Sequence, residues 1–399
     1  MTLSRKCACA CAAVLAAALV GCLGPVRNLG LGSPSHDANF VPPGATLVPP
    51  AGAIPGLRPP RHVLALSSGG LYGAYSAGVL DGWSRTGTRP EFDVVTGAST
   101  GALIAPFAFL GTDYDARAMK LYTGVRTSDI FRLRSFYTLP FRDALATSAP
   151  LRRLIDEQID ERLMTEVAQA HRAGRRLYVA TTDLRTKRPV IWDMGAIACM
   201  PCPQGCALFR DVLLASASVP GVFPPVPFDT GAGKGPRKVD AHVDGGVTAP
   251  LFVPPGVFAA AGPDGANPGA PGAPNVYVIV AGKNYPEAGF VRRRILPVLS
   301  ASTESLLYAD VRAEQSAIYW QSRVYGVRFH TIALRQDAKL EAPTSVSFDP
   351  KLMTALYKEG QADGLAGPRW SFVPPSLSPT DDGAIRDPRL DALPPAPVP

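Results

Sequence analysis

Charge is scarce in this chain of 399 residues: only 18 % of its side chains are charged, while 46 % are hydrophobic. Disordered chains show the opposite balance, so this composition indicates a large buried core. Lys and Arg are scattered apart from the run Arg292-Arg293-Arg294, which we interpret as a solvated face. The basic residues have no interleaved aromatic side chains, and we therefore expect no nucleic-acid partner.

Cysteine is also sparse outside the N-terminal segment. Beyond residue 22 the chain contains only Cys199, Cys202 and Cys206. Zinc prefers four ligands, and the spacing C-x-x-C-x-x-x-C supplies three. We therefore predict no metal site. In an exported protein we expect a disulfide between two of the three cysteines, and the spacing does not decide which two.

The hydrophobic run from Ala12 to Val20 is too short to span a bilayer as a permanent helix. It follows Arg5 and Lys6 and precedes small residues, the pattern of a secretory signal peptide. Loss of Arg5 and Lys6 leaves 38 basic and 33 acidic side chains, a mild net charge of +5. This charge allows only weak attraction to anionic lipid.

The end of this segment, Leu19-Val20-Gly21-Cys22, resembles a bacterial lipobox. The resemblance implies cleavage before Cys22 and attachment of a diacylglyceryl group to its sulfur. We thus expect a signal peptide at residues 1–21 and a lipid-anchored protein in the bacterial cell envelope. Leu23 follows the cysteine, which by the same resemblance favours the outer membrane. The alternative is an ordinary signal peptide with a chance cysteine.

The chain is predicted to contain one folded domain, at residues 61–365. Residues 22–60 are rich in Pro and Gly and are typical of an extended spacer. Residues 366–399 are expected to form a Pro-rich tail. Between these segments, apolar β-branched runs alternate with helical patterns, which predicts an α/β fold whose sheet is covered on both faces. The predicted strands are 62–67, 92–96, 177–182, 239–243, 276–280 and 327–334, and the predicted helices are 74–83, 100–110, 150–173, 210–216, 297–319 and 350–360.

A candidate nucleophile, Ser99, lies between Gly97 and Gly101, directly after a predicted strand and before a predicted helix. G-x-S-x-G in this setting is typical of a nucleophile elbow, whose tight turn requires flanking residues without side chains. The motif is short and also occurs by chance in turns. Its strand–turn–helix context favours the catalytic interpretation.

Serine needs a base, and two candidates follow in the sequence. A Ser99–Asp244–His330 triad has the chain order of an α/β-hydrolase, but His330 lies within an apolar alternation typical of a structural histidine. Asp244 is followed by Gly245 and Gly246, which allow close approach to its carboxylate. Burial would raise its pKa into the range of an effective base. The alternatives for Asp244 are a simple Asp-Gly turn and, less favoured, a metal ligand.

A third glycine-bearing segment, Ser67–Gly73, follows the first predicted strand. Consecutive backbone N–H groups at such a turn can bind an anion. Beside Ser99, that anion would be the oxyanion of an ester intermediate. Phosphate or dinucleotide binding is a weaker reading, because the G-x-G-x-x-G spacing and a P-loop lysine are absent.

Together these segments resemble the patatin-like phospholipase family. The match comprises the loop at Gly69–Gly73, the elbow at Gly97–Gly101, the run Ala215–Pro225 and the Asp244–Gly246 turn, within residues 61 to 253. The resemblance implies a three-layer α/β/α sandwich with a mostly parallel sheet and a membrane phospholipid or other lipid-ester substrate. It also implies catalysis by Ser99 and Asp244 without metal or cofactor, and an oxyanion hole at Gly69 and Gly70.

Two departures from the family pattern concern the oxyanion loop, where Ser68 replaces the first glycine and Tyr72 replaces the basic residue. The loss of that basic side chain leaves an alternative open. The chain could be a weakly active or inactive lipoprotein that keeps the fold and binds lipid or an envelope partner. We further expect the apolar segment 194–209 to form a lip over an acyl pocket.

Overall fold

A computed structural model describes residues 54–134, 137, 143–229, 239–263, 265–286, 290–340 and 348–378. The predicted signal peptide, the proposed anchor Cys22, most of the spacer and the end of the tail lie outside the described residues. Within these ranges, no helix is both long enough and apolar enough to cross a bilayer.

The centre of the fold is an eight-stranded sheet, five of whose strands run parallel to one another. Every predicted strand is present, with its ends shifted by up to two residues. In chain order the five parallel strands are β1 (His62–Leu66), β2 (Val94–Ala98), β5 (Arg176–Asp183), β9 (Asn275–Ile279) and β10 (Arg328–Ile332). A separate antiparallel pair consists of two short strands, β3 (Arg132–Leu133) and β4 (Ala146–Thr147).

Three antiparallel strands complete the sheet beyond β5, and the sequence predicts only the last of them, at 239–243. They are β6 (Arg188–Asp193), β7 (Val226–Asp229) and β8 (Val239–Asp244). The strand order is β10-β9-β1-β2-β5-β8-β7, and β6 also pairs with β5. β8 runs antiparallel to β5, and its last residue, Asp244, lies opposite Thr181. Ala180, one residue earlier, pairs with Ala98 at the carboxyl end of β2, so Asp244 lies level with Ser99.

Eleven helices accompany the sheet in the described part of the chain: α1 (Gly73–Arg85), α2 (Thr100–Leu110), α3 (Asp115–Thr123), α4 (Thr127–Ile130), α5 (Ala149–Gln158), α6 (Glu161–Arg172), α7 (Met194–Ala198), α8 (Gln204–Ser216), α9 (Pro255–Ala261), α10 (Ile295–Val324) and α11 (Pro350–Leu365). The prediction of a single helix at 150–173 is wrong, because the segment forms two helices, α5 and α6, with a short non-helical connection between them. Asp160 begins the second helix as its N-cap and accepts a hydrogen bond from the Leu163 N–H.

The two faces of the sheet bury separate hydrophobic cores, which confirms the predicted three-layer α/β/α architecture. Leu64 and Val95 pack into a large core with α1 and α2. Val63 and Val94, one position away, pack into a second core that includes Ile318 of α10. Alternate residues of each strand therefore face opposite helical layers, as strand geometry requires.

Packed structure extends beyond both predicted boundaries of the domain. Arg58 donates to Asp93 from the segment assigned to the spacer. In the segment assigned to the tail, Ser371 forms a β-bridge with Thr331, and Trp370 packs edge-to-face on Trp83. The C-terminal segment to residue 378 is therefore part of the folded body.

Candidate active site

Ser99 occupies a sharp turn between the carboxyl end of β2 and the start of α2. Its φ is 53° and its ψ is −121°, a conformation that non-glycine residues rarely adopt and that often marks functional sites. The flanking glycines are required by contact. A Cβ on Gly97 would lie 2.5 Å from the Gly101 oxygen, and a Cβ on Gly101 would lie 2.4 Å from the Leu66 oxygen.

Asp244 lies directly beside Ser99, although 145 residues separate them in the chain. The Ser99 hydroxyl donates to Asp244 Oδ2 at 2.6 Å. The other carboxylate oxygen, Oδ1, accepts from the Gly246 N–H at 2.7 Å. Both side chains are buried, at 6 % and 4 % exposed. Each oxygen of the carboxylate therefore has one donor, and Oδ2 is aimed at the nucleophile candidate.

Burial raises the pKa of Asp244 from 3.8 to about 7. Removal of the carboxyl from water is the main cause, since water solvates the charged form best. The hydrogen bonds from Ser99 and from the Gly246 N–H oppose this effect because they stabilise the carboxylate. The result is a carboxyl whose pKa lies near neutral pH, where a general base works most effectively.

Two further serines, whose roles the sequence did not reveal, hold this pair in place. The Ser216 hydroxyl accepts from the Ser99 N–H at 3.0 Å and donates to the Ala180 carbonyl at 2.7 Å, which ties the elbow to β5. The Ser218 carbonyl accepts from the Asp244 N–H at 2.9 Å. The sequence does contain a signal for these two serines, because both lie in the run Ala215–Pro225 that resembles the family pattern.

The glycine-bearing loop lies on the other side of Ser99 and is anchored at both ends. The Ser68 N–H donates to the Pro250 carbonyl, and the Ala281 N–H donates to the Ser67 hydroxyl. A Cβ on Gly69 would lie 2.1 Å from the Ala281 oxygen, and Gly70 has φ 58°. Within the described ranges, the N–H groups of these two glycines donate to no backbone carbonyl.

An apolar pocket with a volume of about 60 Å³ opens beside Ser99. Only Ser99, Thr100 and Tyr122 among its lining side chains carry polar atoms. The walls come from several elements that are distant in the chain: Leu103 of α2, Leu121 of α3, Ile130 of α4, Leu151, Leu154 and Ile155 of α5, Val219, Phe223, Phe348 and Met353 of α11. Such a lining suits a hydrocarbon chain.

The expected lip over this pocket is wrong. No residue of the segment 194–209 lines the pocket, and its large apolar side chains, such as Met194 and Phe209, are buried in the core instead. The structure pairs Cys202 with Cys206 and leaves Cys199 as an exposed thiol. The cysteines therefore lie outside the site.

His330, the histidine of the alternative triad, lies far from Ser99, on the edge strand β10. Three strand spacings of about 4.8 Å separate β10 from β2, roughly 14 Å in all. His330 Nε2 is hydrogen-bonded to Asn275 Oδ1 at 3.0 Å, and its ring stacks on Tyr277. Burial lowers its pKa to about 4. These contacts indicate a structural histidine.

The neighbours of Asp244 on β8, which the less favoured metal interpretation would use, are paired with other side chains of the protein. Asp240 accepts hydrogen bonds from Arg185 at 2.7 and 3.2 Å. His242 Nδ1 is hydrogen-bonded to the Thr181 hydroxyl at 2.9 Å. No cluster of three potential metal ligands occurs in the described part of the chain.

A family model described as "Patatin-like phospholipase" matches residues 64–255, which contain the elbow, the glycine loop and Asp244. The chain carries a patatin-like phospholipase domain. The family that this model describes comprises lipid acyl hydrolases. No curated protein matches the sequence.

Two solved structures align with part of this chain. VipD from Legionella pneumophila is 12 % identical with a TM-score of 0.39, and the alignment covers 77 % of this chain and 66 % of VipD. The type III effector protein ExoU is 14 % identical with a TM-score of 0.26, and the alignment covers 78 % of this chain and 53 % of ExoU. The chain thus spans less than two thirds of either protein's length.

Proposed function

We propose that this protein is a serine acyl hydrolase that cleaves lipid esters, of the phospholipase A or lysophospholipase type, through a Ser99–Asp244 dyad. The observation that carries the proposal is the 2.6 Å hydrogen bond from the Ser99 hydroxyl to a buried carboxylate whose pKa is raised to about 7. The apolar pocket beside Ser99 supports a fatty acyl substrate over a polar one.

In the proposed first half-reaction, Ser99 Oγ attacks the acyl carbonyl carbon while Asp244 Oδ2 accepts the hydroxyl proton. The N–H groups of Gly69 and Gly70 stabilise the tetrahedral oxyanion. Collapse of the intermediate breaks the ester bond, and the departing alkoxide takes the proton from Asp244. The acyl chain then remains on Ser99 as an ester, held in the apolar pocket.

In the second half-reaction, a water molecule attacks the acyl-enzyme and Asp244 accepts its proton. Collapse releases the fatty acid and returns the proton to Ser99. One carboxylate therefore acts in turn as base and acid in both halves, which a pKa near neutral permits. No step requires a second titratable side chain.

The proposal is tested by incubating the full chain with mixed phospholipid vesicles and measuring released fatty acid. A parallel incubation with a fluorophosphonate probe, followed by peptide mass spectrometry, locates the nucleophile. We expect fatty-acid release and a single adduct on Ser99. A folded protein that releases no fatty acid from any lipid or short ester and takes up no probe would instead favour the non-catalytic lipid-binding alternative.

Replacement of His330 separates the dyad from the alternative triad. We expect His330→Ala to keep activity within about threefold of the parent, because its ring contacts Asn275 and Tyr277 rather than the dyad. The measurement is kcat/KM on a soluble short-chain ester, with circular dichroism to verify folding. A fall of several orders of magnitude in a folded variant would contradict the dyad.

The raised pKa of Asp244 predicts the pH dependence of the reaction. The base must be ionised to accept the Ser99 proton, so kcat/KM should increase with pH through about 7 and level off above it. A serine hydrolase with a carboxyl of ordinary pKa would already be fully active near pH 5. The check is a pH profile of kcat/KM on a soluble ester, and a plateau extending down to pH 5 would refute the assignment.

A further inference from the structure

Half of the long helix α10 projects beyond the sheet, at the same edge as Ser99. β9 ends at Ile279, and the chain then reaches Asn284, whose oxygens accept hydrogen bonds from Arg312 and Gln315 of α10. The helix therefore passes the sheet edge near Arg312. The 17 residues from Ile295 to Val311 lie further out and span about 25 Å.

The candidate active site lies at this same edge of the sheet. β1, β2 and β9 are parallel and in register, so their carboxyl ends lie side by side. Ser99 follows β2, and the glycine loop follows β1. The segment leaving β9 begins in contact with that loop, because a Cβ on Gly69 would lie 2.1 Å from the Ala281 oxygen.

The projecting part of the chain exposes large apolar side chains. Phe290 is 89 % exposed and Ile295 is 70 % exposed, although both side chains are apolar. On α10, Ile295, Leu299 and Leu306 share one face at 100° per residue, and all three are exposed. Exposed apolar groups concentrated in this way mark an interaction surface.

Positive charge accompanies these apolar side chains. Arg292, Arg293 and Arg294 are exposed between Phe290 and Ile295, and no acidic side chain in the described ranges forms an ion pair with them. Between residues 290 and 309, Glu304 is the only acidic residue. Apolar side chains next to clustered arginines are the combination that binds the surface of an anionic bilayer.

We propose that the segment Phe290–Leu299, here called the cationic tip, docks the protein on an anionic phospholipid bilayer with the active-site edge facing the lipid. The arginines contact lipid phosphates, and Phe290, Ile295 and Leu299 enter the interfacial region. Only the N-terminal end of α10 contacts the bilayer, and the helix does not cross it, since no described helix is long and apolar enough to span. The proposal rests on the proposed function, because docking at this edge presents lipid to Ser99.

The test is vesicle flotation of the full chain with two substitutions in every sample. Cys22→Ser removes an attached lipid as a source of binding, and Ser99→Ala prevents hydrolysis from altering the vesicles. Phosphatidylcholine vesicles with and without phosphatidylglycerol are compared at low and high salt. We expect the protein to float with the anionic vesicles and to be released by salt.

The tip variant carries Arg292→Gln, Arg293→Gln and Arg294→Gln together. We expect it to bind anionic vesicles about a hundredfold more weakly. The charge-matched control carries Arg172→Gln, Arg323→Gln and Lys358→Gln, three exposed cations away from the tip, and should bind almost as the parent does. A second variant, Ile295→Ser with Leu299→Ser, should also weaken binding while keeping the charge.

Equal flotation of the tip variant and the parent would overturn the proposal, as would flotation that is independent of phosphatidylglycerol. A change of sedimentation coefficient in the tip variant without loss of vesicle binding would instead assign this surface to a second copy of the chain. With Ser99 intact, the tip variant should keep its kcat/KM on a soluble ester. A parent protein that has no activity on the soluble ester would therefore refute the proposed function, and the flotation result would still test the docking proposal.

Discussion

Replacement of Ser99 by Ala is expected to lower kcat/KM by about 10⁴-fold or more, because it removes the hydroxyl that donates to the Asp244 carboxylate and that we propose as the nucleophile. The Ser99 hydroxyl is buried and donates a single hydrogen bond in the described structure, to the Asp244 carboxylate, so the variant should fold. The measurement is release of fatty acid and of a chromogenic alcohol from a soluble ester. Probe labelling should disappear in the same variant.

Ser76→Ala is the matched control for this loss. Ser76 is a buried serine of α1 whose hydroxyl has no hydrogen-bond partner in the described structure. Its replacement by Ala removes the same atom from the interior without breaking a hydrogen bond, and we expect activity close to that of the parent. Residual activity above about 1 % in Ser99→Ala would mean that another residue attacks the ester.

Asp244→Asn is expected to lower kcat/KM by about 10³-fold or more, since the amide cannot accept the Ser99 proton. The variant is nearly isosteric, and its oxygen can still accept from the Gly246 N–H. Asp240→Asn on the same strand is the control. Asp240 is paired with Arg185, outside the site, so this change should leave kcat/KM within a fewfold of the parent.

Asp244→Asn should also stabilise the folded protein at alkaline pH. The folded-state pKa of Asp244 lies above its unfolded value, so its contribution to stability is present below about pH 4 and is lost as pH rises through about 7. The shift of about three pKa units corresponds to about 4 kcal/mol. Thermal unfolding should show a higher midpoint for Asp244→Asn near pH 8 and little difference near pH 3.5. Equal midpoints at both pH values would contradict the raised pKa.

The sequence was sufficient to predict the location of Ser99 and the central sheet, because both depend on local pattern. Apolar β-branched runs identified the parallel strands. The glycines around Ser99 carried the geometry of the turn, and the structure shows that a Cβ at Gly97 or Gly101 would collide with backbone. Their role as catalytic elements stays a prediction.

Other parts of the site depend on contacts between distant residues and could not be predicted. Ser216 meets Ser99 across 117 residues of chain, and only the folded sheet brings its hydroxyl to the Ala180 carbonyl. The run before Asp244 predicts the strand β8, but it does not predict the antiparallel pairing with β5 that brings Asp244 level with Ser99. A helical pattern shows which residues are apolar, but not which of them face a pocket.

The position of two pocket residues in the chain has a consequence for how this protein can change. The proposed dyad and its supporting serines all lie between residues 99 and 244, whereas Phe348 and Met353 of the pocket lie beyond the segment that matches the family model. If the proposed function holds, substitutions at these two positions would alter the acyl chain that is accepted while leaving Ser99 and Asp244 in place. One wall of the pocket could then evolve independently of the reaction chemistry.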